Sequence, residues 1–299
     1  MKTLLMFEKK SQKETFMKIN NFIEIVGTTT PSIIITKMLT DYKFKYPQEK
    51  YNKYPIIQNI DYKDINSYPE LDHDYDRLVI ATDFDYVGHF SVHKILINKI
   101  GDNWRDCFDK IIVINTNSYD SEETRTMNLD LNYNLSFFEK NINYAERKYY
   151  FDYNYNLNSK VFFNEIIKKK NLSKLNISIS KYMLLALWQI RNKKLMSLGI
   201  YDFMHNYKGS GKYEKRRLGS VASIGTIIKN LEDLGFLDNS GITANGNSFL
   251  DSLVKQAFDP DLPMRIDIFS NNPDPDVFNK IDKYLLNVFS KQKNKNKGL

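Results

Sequence analysis

Residues 78–85 read Leu-Val-Ile-Ala-Thr-Asp-Phe-Asp, an apolar run that ends in two carboxylates. A short run of this kind is typical of a strand buried on both faces of a parallel sheet. Residues 88–100 follow it with apolar side chains at helical spacing. Apolar runs at residues 3–7 and 110–115 predict two more strands, so strands alternate with helices along the chain. The pattern therefore predicts an α/β unit with a mostly parallel sheet.

The first part of the chain contains further predicted elements around this sheet. Residues 10–19 have the spacing of a helix. Residues 22–26 and 33–36 are β-branched runs on either side of a Gly-Thr-Thr-Thr-Pro segment, which predicts strand, turn and strand. Residues 47–69 are polar and rich in Tyr and Pro, and they predict a surface excursion.

Beyond about residue 120 the strand patterns give way to helical ones. Helical spacing at residues 137–147, 161–170 and 178–195 predicts three helices. A polar, basic linker follows at residues 206–217.

The last third of the chain has the outline of a winged helix-turn-helix unit. A helical pattern at 224–234 is followed by a predicted hairpin at 236–243 and a predicted helix at 244–258. We expect residues 290–299, a Lys- and Asn-rich tail, to be disordered. The expected division is an α/β domain at 1–125, a helical region with the basic linker at 126–215, a winged-helix-like unit at 216–258, and a C-terminal helix with a basic tail at 259–299.

Composition bounds the class of protein. The 299 residues include 43 Lys and Arg against 36 Asp and Glu, a formal net charge of +7 that suits an anionic partner without requiring one. The hydrophobic fraction of 42% excludes wholesale disorder. A single cysteine, Cys107, excludes an internal disulfide and a cysteine-based zinc cluster. Since no apolar stretch is long enough to span a bilayer, we expect a cytoplasmic protein without membrane contact. The 14% aromatic content is typical either of base stacking or of codon bias.

Three carboxylates follow predicted strands at the edge where ligands bind in parallel sheets. Glu8 ends the first strand, and Asp83 and Asp85 end the strand at residues 78–82. Two carboxylates two residues apart on an extended segment can meet one hard cation, and Mg²⁺ with carboxylates is the usual arrangement for phosphoryl transfer. The alternative is structural, with Asp83 capping the next helix and Asp85 solvated.

Two motifs resemble the Toprim domain of type IA DNA topoisomerases. Residues 7–12 (Phe-Glu-Lys-Lys-Ser-Gln) are similar to the family's opening Glu-Lys-Pro-Ser-Gln, and residues 79–88 are similar to its Ala-Thr-Asp-Pro-Asp-Arg-Glu-Gly-Glu. The resemblance implies a Rossmann-like Toprim domain followed by an all-α and winged-helix region. It further implies Glu8 and Lys9 as catalytic residues, and a Mg²⁺ site made by Asp83, Asp85 and Glu8.

The resemblance continues in family order to about residue 253. Residues 143–159, 178–190 and 218–246 are similar to later elements of the family. It implies single-stranded DNA as the partner. The DNA-binding candidates are Lys9, Ser11, Arg147, Lys181, Arg216 and Arg217.

The chain also departs from the family in ways that bear on activity. Val87 stands where the family has a third acid, and His89 replaces its final Glu. The family's nucleophilic Tyr lies in a Tyr-x-Arg-Thr-Asp-Ser context, in gate domains that belong between Ile190 and Gly219, and no Tyr of this chain has that context. Strand cleavage would then need a second protein that supplies the nucleophile. Two alternatives stay open, a non-catalytic DNA-binding module with a relic Toprim pocket and a Toprim-type metal-dependent nuclease.

Overall fold

The computed structural model describes residues 1–18, 22–36, 56, 60–63, 65–71, 74–114, 131–211 and 217–299. The described residues fall into two compact units. The first contains residues up to 36 and those between 60 and 146, and the second contains residue 56 and those from 147 onward. The predicted four-part division stays a prediction, because its boundaries at 125/126 and 215/216 lie outside the described residues.

The first unit is built on a parallel sheet of four strands in the order β2-β1-β3-β4. The strands are β1 (Thr3–Phe7), β2 (Ser32–Ile35), β3 (Arg77–Ala81) and β4 (Lys110–Val113). The central strands β1 and β3 are paired from Thr3 opposite Arg77 to Phe7 opposite Ala81. Their near-continuous apolar runs are buried, as expected of a parallel sheet covered on both faces. The predicted α/β class with a parallel sheet is confirmed.

Helices α1 (Lys10–Phe16), α2 (Phe22–Val26) and α3 (Tyr86–Lys99) accompany the sheet, with short 3₁₀ turns at Ile65–Ser67 and Trp104–Cys107. The strand predicted at residues 22–26 is wrong, because this segment is helical. Phe22, Ile25 and Val26 lie at i, i+3 and i+4 and are buried, whereas Ile23 between them is 57% exposed. A helix puts all three apolar side chains on one face, which a strand cannot do.

A single helix, α4 (Leu131–Lys169), replaces two of the predicted helices and the stretch between them. Residues 148–160 are rich in Tyr and Asn, which are weak helix formers, so the sequence did not predict helix there. The side chains of Tyr149, Tyr150, Tyr153 and Tyr155 are buried, and this burial outweighs the propensity. Asn154 and Asn158 are also buried, and each donates a hydrogen bond to the carbonyl one turn back.

The second unit is mostly helical. A two-stranded antiparallel hairpin of β5 (Leu237–Asp238) and β6 (Gly241–Ile242) confirms the predicted hairpin. The helix predicted from residue 244 ends at Asp251, seven residues early, and the helix at Ser197–His205 was not predicted. The helices of this unit are α5 (Lys181–Lys193), α6 (Ser197–His205), α7 (Val221–Asp233), α8 (Ala244–Asp251), α9 (Leu262–Asn271) and α10 (Val277–Asn296).

The disordered tail predicted at residues 290–299 is wrong, because α10 runs to Asn296. Polar side chains in this segment are buried and hydrogen-bonded. Gln292 accepts from the backbone N–H of Val254 at 2.9 Å and donates to the carbonyl of Ser252 at 3.1 Å. Asn296 donates to the carbonyl of Phe162 at 2.9 Å. Composition indicated disorder, but these two amides anchor the helix within the unit.

Among the described residues, no helix combines the length and the apolar character needed to cross a bilayer.

Candidate functional site

The acidic edge, which we define as Glu8, Asp83 and Asp85, lies where β1 and β3 end. The two strands run side by side with Phe7 opposite Ala81, so Glu8 and Asp83 follow neighbouring strand ends. The ammonium Nζ of Lys9 lies 2.7 Å from Oδ2 of Asp83 and 3.5 Å from Oε1 of Glu8. The sequence predicted that the three carboxylates converge. Strand register explains why Glu8 and Asp83 share the ammonium of Lys9, whereas the side chain of Asp85 bonds to the start of α3.

Glu8 is buried, with 3% of its surface exposed. Neither carboxylate oxygen accepts a hydrogen bond of ordinary geometry from a described residue, and the ammonium of Lys9 is its ion-pair partner at 3.5 Å from Oε1. Burial raises the pKa of Glu8, and the negative charge of Asp83 raises it further. The positive charge of Lys9 and the backbone N–H of Asp83 oppose both effects. A buried carboxylate without hydrogen bonds of ordinary geometry is costly, and such a group indicates a functional site.

Gln12 belongs to this site, although the sequence did not single it out. Its Nε2 donates to Oδ1 of Asp83 at 2.6 Å, and its Oε1 accepts from the backbone N–H of Lys9 at 2.9 Å. The side chain is buried. A Gln three residues into a helix is the signal of a capping box, and that spacing from Lys9 could have identified it.

Gly88, in the first turn of α3, brings this helix close to the acidic edge. A Cβ at this position would lie 2.8 Å from the carbonyl oxygen of Asp83, 2.9 Å from Oε2 of Glu8 and 2.9 Å from Oγ1 of Thr82. Only glycine leaves room for this approach. The site is therefore closed on this side by backbone rather than by a side chain.

Asp85 is the N-cap of α3. Its Oδ1 accepts from the backbone N–H groups of Val87 and Gly88, at 2.9 Å each. The alternative interpretation is thus wrong in naming Asp83 as the cap, whereas Asp85 is exposed to solvent as it expected. Asp83 instead pairs with Lys9 and Gln12, which leaves capping to the residue directly before the helix.

Replacing Asp85 with alanine should lower the free energy of unfolding by about 1 kcal/mol, because two N–H groups at the start of α3 lose their acceptor. Asp85→Asn keeps the acceptor oxygen and removes only the charge, so its stability should stay within a few tenths of a kcal/mol of the wild type. Urea unfolding of the three proteins measures both effects. An equal loss of unfolding free energy in Asp85→Ala and Asp85→Asn would contradict a capping role for Asp85.

His89 and His93 face the protein interior rather than the acidic edge. His89 is fully buried, and its Nδ1 lies 3.0 Å from Nδ2 of Asn141. His93 is also buried, and its Nδ1 accepts from the indole N–H of Trp104 at 3.3 Å. Burial lowers the pKa of each imidazole to about 3. For His93 the charges of Lys94 and Arg105 act in the same direction.

The protein should lose stability in mild acid because these imidazoles stay neutral when folded. Below the ordinary pKa of 6.5 the unfolded chain takes up a proton that folded His93 does not, so the free energy of unfolding falls as the pH drops from 6.5 toward 3. For one such group the fall between pH 7 and 5 is about 2 kcal/mol. His93→Gln keeps an acceptor for Trp104 and does not titrate, so the fall should shrink by about that amount in urea titrations. A fall as large as in the wild type would show that His93 titrates normally.

The other predicted DNA-binding residues differ in their surroundings. Ser11 and Arg217 are exposed in their respective units. Arg147 is partly buried, with Nη2 3.5 Å from the carbonyl of Pro273. Arg216 lies outside the described residues.

Lys181 is buried in an ion cluster of the second unit. Its Nζ lies 2.8 Å from Oδ1 of Asp152, whose Oδ2 lies 2.8 Å from Nζ of Lys148. Burial alone would raise the pKa of Asp152, but the two lysine charges outweigh it and lower this pKa to about 2. Burial in turn lowers the pKa of Lys181, although Asp152 opposes the effect. Two ammonium groups thus share one carboxylate.

Within the described ranges, no three His, Cys, Asp or Glu side chains are placed to hold a metal ion together. At the acidic edge, Oδ1 of Asp83 accepts from Gln12 and its Oδ2 from Lys9, whereas Oδ1 of Asp85 caps α3. Comparisons with protein-family models, with curated proteins and with solved structures find no match.

Proposed function

We propose that this chain is a type IA DNA topoisomerase-like protein that binds single-stranded DNA at a Mg²⁺ site of Glu8 and Asp83. Asp85 becomes a third ligand only if its side chain moves, since no three such groups are placed to hold a metal together in the described ranges. Strand cleavage then depends on a second protein that supplies the nucleophile. The observation that carries the proposal is Glu8, a buried carboxylate without a hydrogen bond of ordinary geometry, beside Asp83 at the carboxyl edge of a parallel sheet. A Toprim domain and a winged helix are the fold assignments that go with it.

The acidic edge has the chemistry that Mg²⁺ requires. Mg²⁺ prefers oxygen ligands and is usually held by one or two carboxylates together with phosphate oxygens. The two oxygens of Glu8 lack hydrogen bonds of ordinary geometry, and a hard cation would satisfy them. When bound, the ion would neutralise charge on a phosphodiester.

The residues of the chain have distinct roles in this proposal. The family resemblance gives Glu8 the acid/base role, in which it passes a proton to a departing oxygen, and burial raises its pKa when no cation is bound. Gln12 fixes the orientation of Asp83 through one carboxylate oxygen. Lys9 and the exposed hydroxyl of Ser11 lie at the start of α1, next to Glu8 in sequence, where they could contact a phosphate.

Positive charge in the second unit supports a nucleic-acid partner. Lys148 and Lys181 share the carboxylate of Asp152, although both side chains are largely buried. Arg217 adds an exposed guanidinium, which suits phosphate contacts. The aromatic side chains at positions 149–155 give less support to stacking on nucleic-acid bases, because they are largely buried.

A non-catalytic DNA-binding module is the second candidate, and a specific observation favours it. The ammonium of Lys9 already pairs with Asp83, and Val87 supplies no carboxylate where the family has one. In this reading the acidic edge is a structural relic and the basic groups alone bind DNA.

Fluorescence anisotropy of a labelled oligothymidylate, titrated in Mg²⁺ and in EDTA at constant ionic strength, distinguishes the two candidates. We expect tighter binding in Mg²⁺ for the wild type, and no such difference for Glu8→Gln. Glu14→Gln is the matched control, since Glu14 is an exposed carboxylate on α1. Binding that is equal in Mg²⁺ and EDTA would favour the binding module.

A supercoiled-plasmid assay with Mg²⁺ tests the requirement for a partner. We expect the chain alone to leave the plasmid supercoiled, because no Tyr has the family's nucleophile context. Nicking that disappears in Asp83→Ala would instead favour the metal-dependent nuclease.

A further inference from the structure

Lys9 contacts both carboxylates on which the proposed metal site depends. Its Nζ is 2.7 Å from Oδ2 of Asp83 and 3.5 Å from Oε1 of Glu8. The other oxygen of Asp83 is engaged by Nε2 of Gln12 at 2.6 Å. The Oδ2 atom is therefore the part of Asp83 open to a cation, and the ammonium of Lys9 already lies there.

We propose that Lys9 is an internal counter-ion that competes with a divalent cation for Asp83 and Glu8, and that cation binding releases its ammonium to bind a phosphate. This inference rests on the proposed Mg²⁺ site. It assigns Lys9 two alternating partners, the carboxylates when the metal is absent and an anionic oxygen of the nucleic acid when the metal is present.

Competition follows from the distances. A cation bound to Oδ2 would lie about 2.1 Å from that oxygen, and an ammonium held at 2.7 Å from the same atom would then face it at close range. Like charges at such a separation repel strongly, so both cannot occupy Asp83 in this geometry. Lys9 is free to leave because 49% of its side chain is exposed and its stem is flexible.

Release of Lys9 couples the two ligands of the site. If the metal frees an ammonium that then binds phosphate, the metal strengthens phosphate binding, and phosphate must strengthen metal binding by the same factor. Lys9 thereby makes the site respond to the two ligands together rather than to either alone.

Binding of Mn²⁺, used as a spectroscopic substitute for Mg²⁺, tests this inference without any activity assay. Free Mn²⁺ would be measured by electron paramagnetic resonance with the full chain and no DNA. We expect Lys9→Met to bind Mn²⁺ about tenfold more tightly than the wild type, because a competing unit charge has been removed. Lys9→Gln should also bind Mn²⁺ more tightly than the wild type. Circular dichroism would confirm that both variants are folded.

Lys10→Met is the matched control. Lys10 is the next residue, its side chain is 83% exposed, and it pairs only distantly with Glu14 at 3.8 Å. It loses the same charge, so its Mn²⁺ affinity should stay within about twofold of the wild type. If the wild type binds Mn²⁺ and folded Lys9→Met binds it equally or more weakly, the proposed competition is overturned while the metal site itself stands. If neither the wild type nor the Lys9 variants bind Mn²⁺ saturably, the metal site itself is overturned, and this inference with it.

Discussion

Asp83→Asn should reduce Mg²⁺ binding by at least about 100-fold and remove the Mg²⁺-dependent part of single-stranded DNA binding. Asp83 is the carboxylate around which Lys9 and Gln12 are arranged. Loss of a group that only orients a metal ligand costs 10- to 100-fold in affinity, so loss of the ligand's charge should cost at least the upper end of that range. Asn keeps the shape and one acceptor oxygen, so the fold should be retained.

Calorimetric titration with Mg²⁺, followed by anisotropy with an oligothymidylate, measures both effects of Asp83→Asn. Asp106→Asn is a suitable control, because Asp106 is exposed in the same unit and makes the same change of charge. Retention of Mg²⁺ affinity in folded Asp83→Asn would contradict the proposed site.

Asp152→Ala should lower the free energy of unfolding by about 3–5 kcal/mol, the expected cost of removing one partner from a buried ion pair. Asp152 is 7% exposed and is the carboxylate shared by Lys148 and Lys181. Without it two ammonium groups face each other with little solvent. Burial already lowers the pKa of Lys181, so loss of Asp152 should disfavour its charged form more than that of Lys148.

Urea unfolding compares Asp152→Ala with Asp202→Ala, an exposed carboxylate on α6 of the same unit. The control should change stability by less than about 0.5 kcal/mol. A loss below about 1 kcal/mol in Asp152→Ala would mean that water, rather than this carboxylate, compensates the two lysines.

Several features were predictable because local pattern and tertiary structure agree. The strands at 3–7 and 77–81 are buried on both faces, so their apolar runs identify them directly. Their parallel pairing then explains why Glu8 and Asp83 meet. The N-cap role of Asp85 was harder to predict from the sequence. Two aspartates lie close to the start of α3, and only the geometry shows which one caps it.

Other features depend on contacts that no local pattern contains. The Tyr- and Asn-rich middle of α4 is helical because its rings are buried. The Lys-rich end of α10 is ordered because Gln292 and Asn296 bond to backbone groups far away in sequence. Lys181 was predicted as a DNA contact, yet its ammonium pairs with Asp152. In each case the residue that decides the structure is distant in sequence. The composition of the segment alone therefore predicted the wrong structure or only part of the side chain's role.

The central claim is that the acidic edge holds a divalent cation, and Fe²⁺-directed backbone cleavage tests it most directly. Fe²⁺ bound in place of Mg²⁺ reduces added hydrogen peroxide to hydroxide and a hydroxyl radical, itself becoming Fe³⁺. The radical cuts the chain next to the site, and mass spectrometry locates the cuts. We predict cuts near Glu8 and near Asp83 that Mg²⁺ suppresses and that Asp83→Asn lacks. Cuts confined to other segments, or cuts at these positions that persist in Asp83→Asn, would contradict the claim.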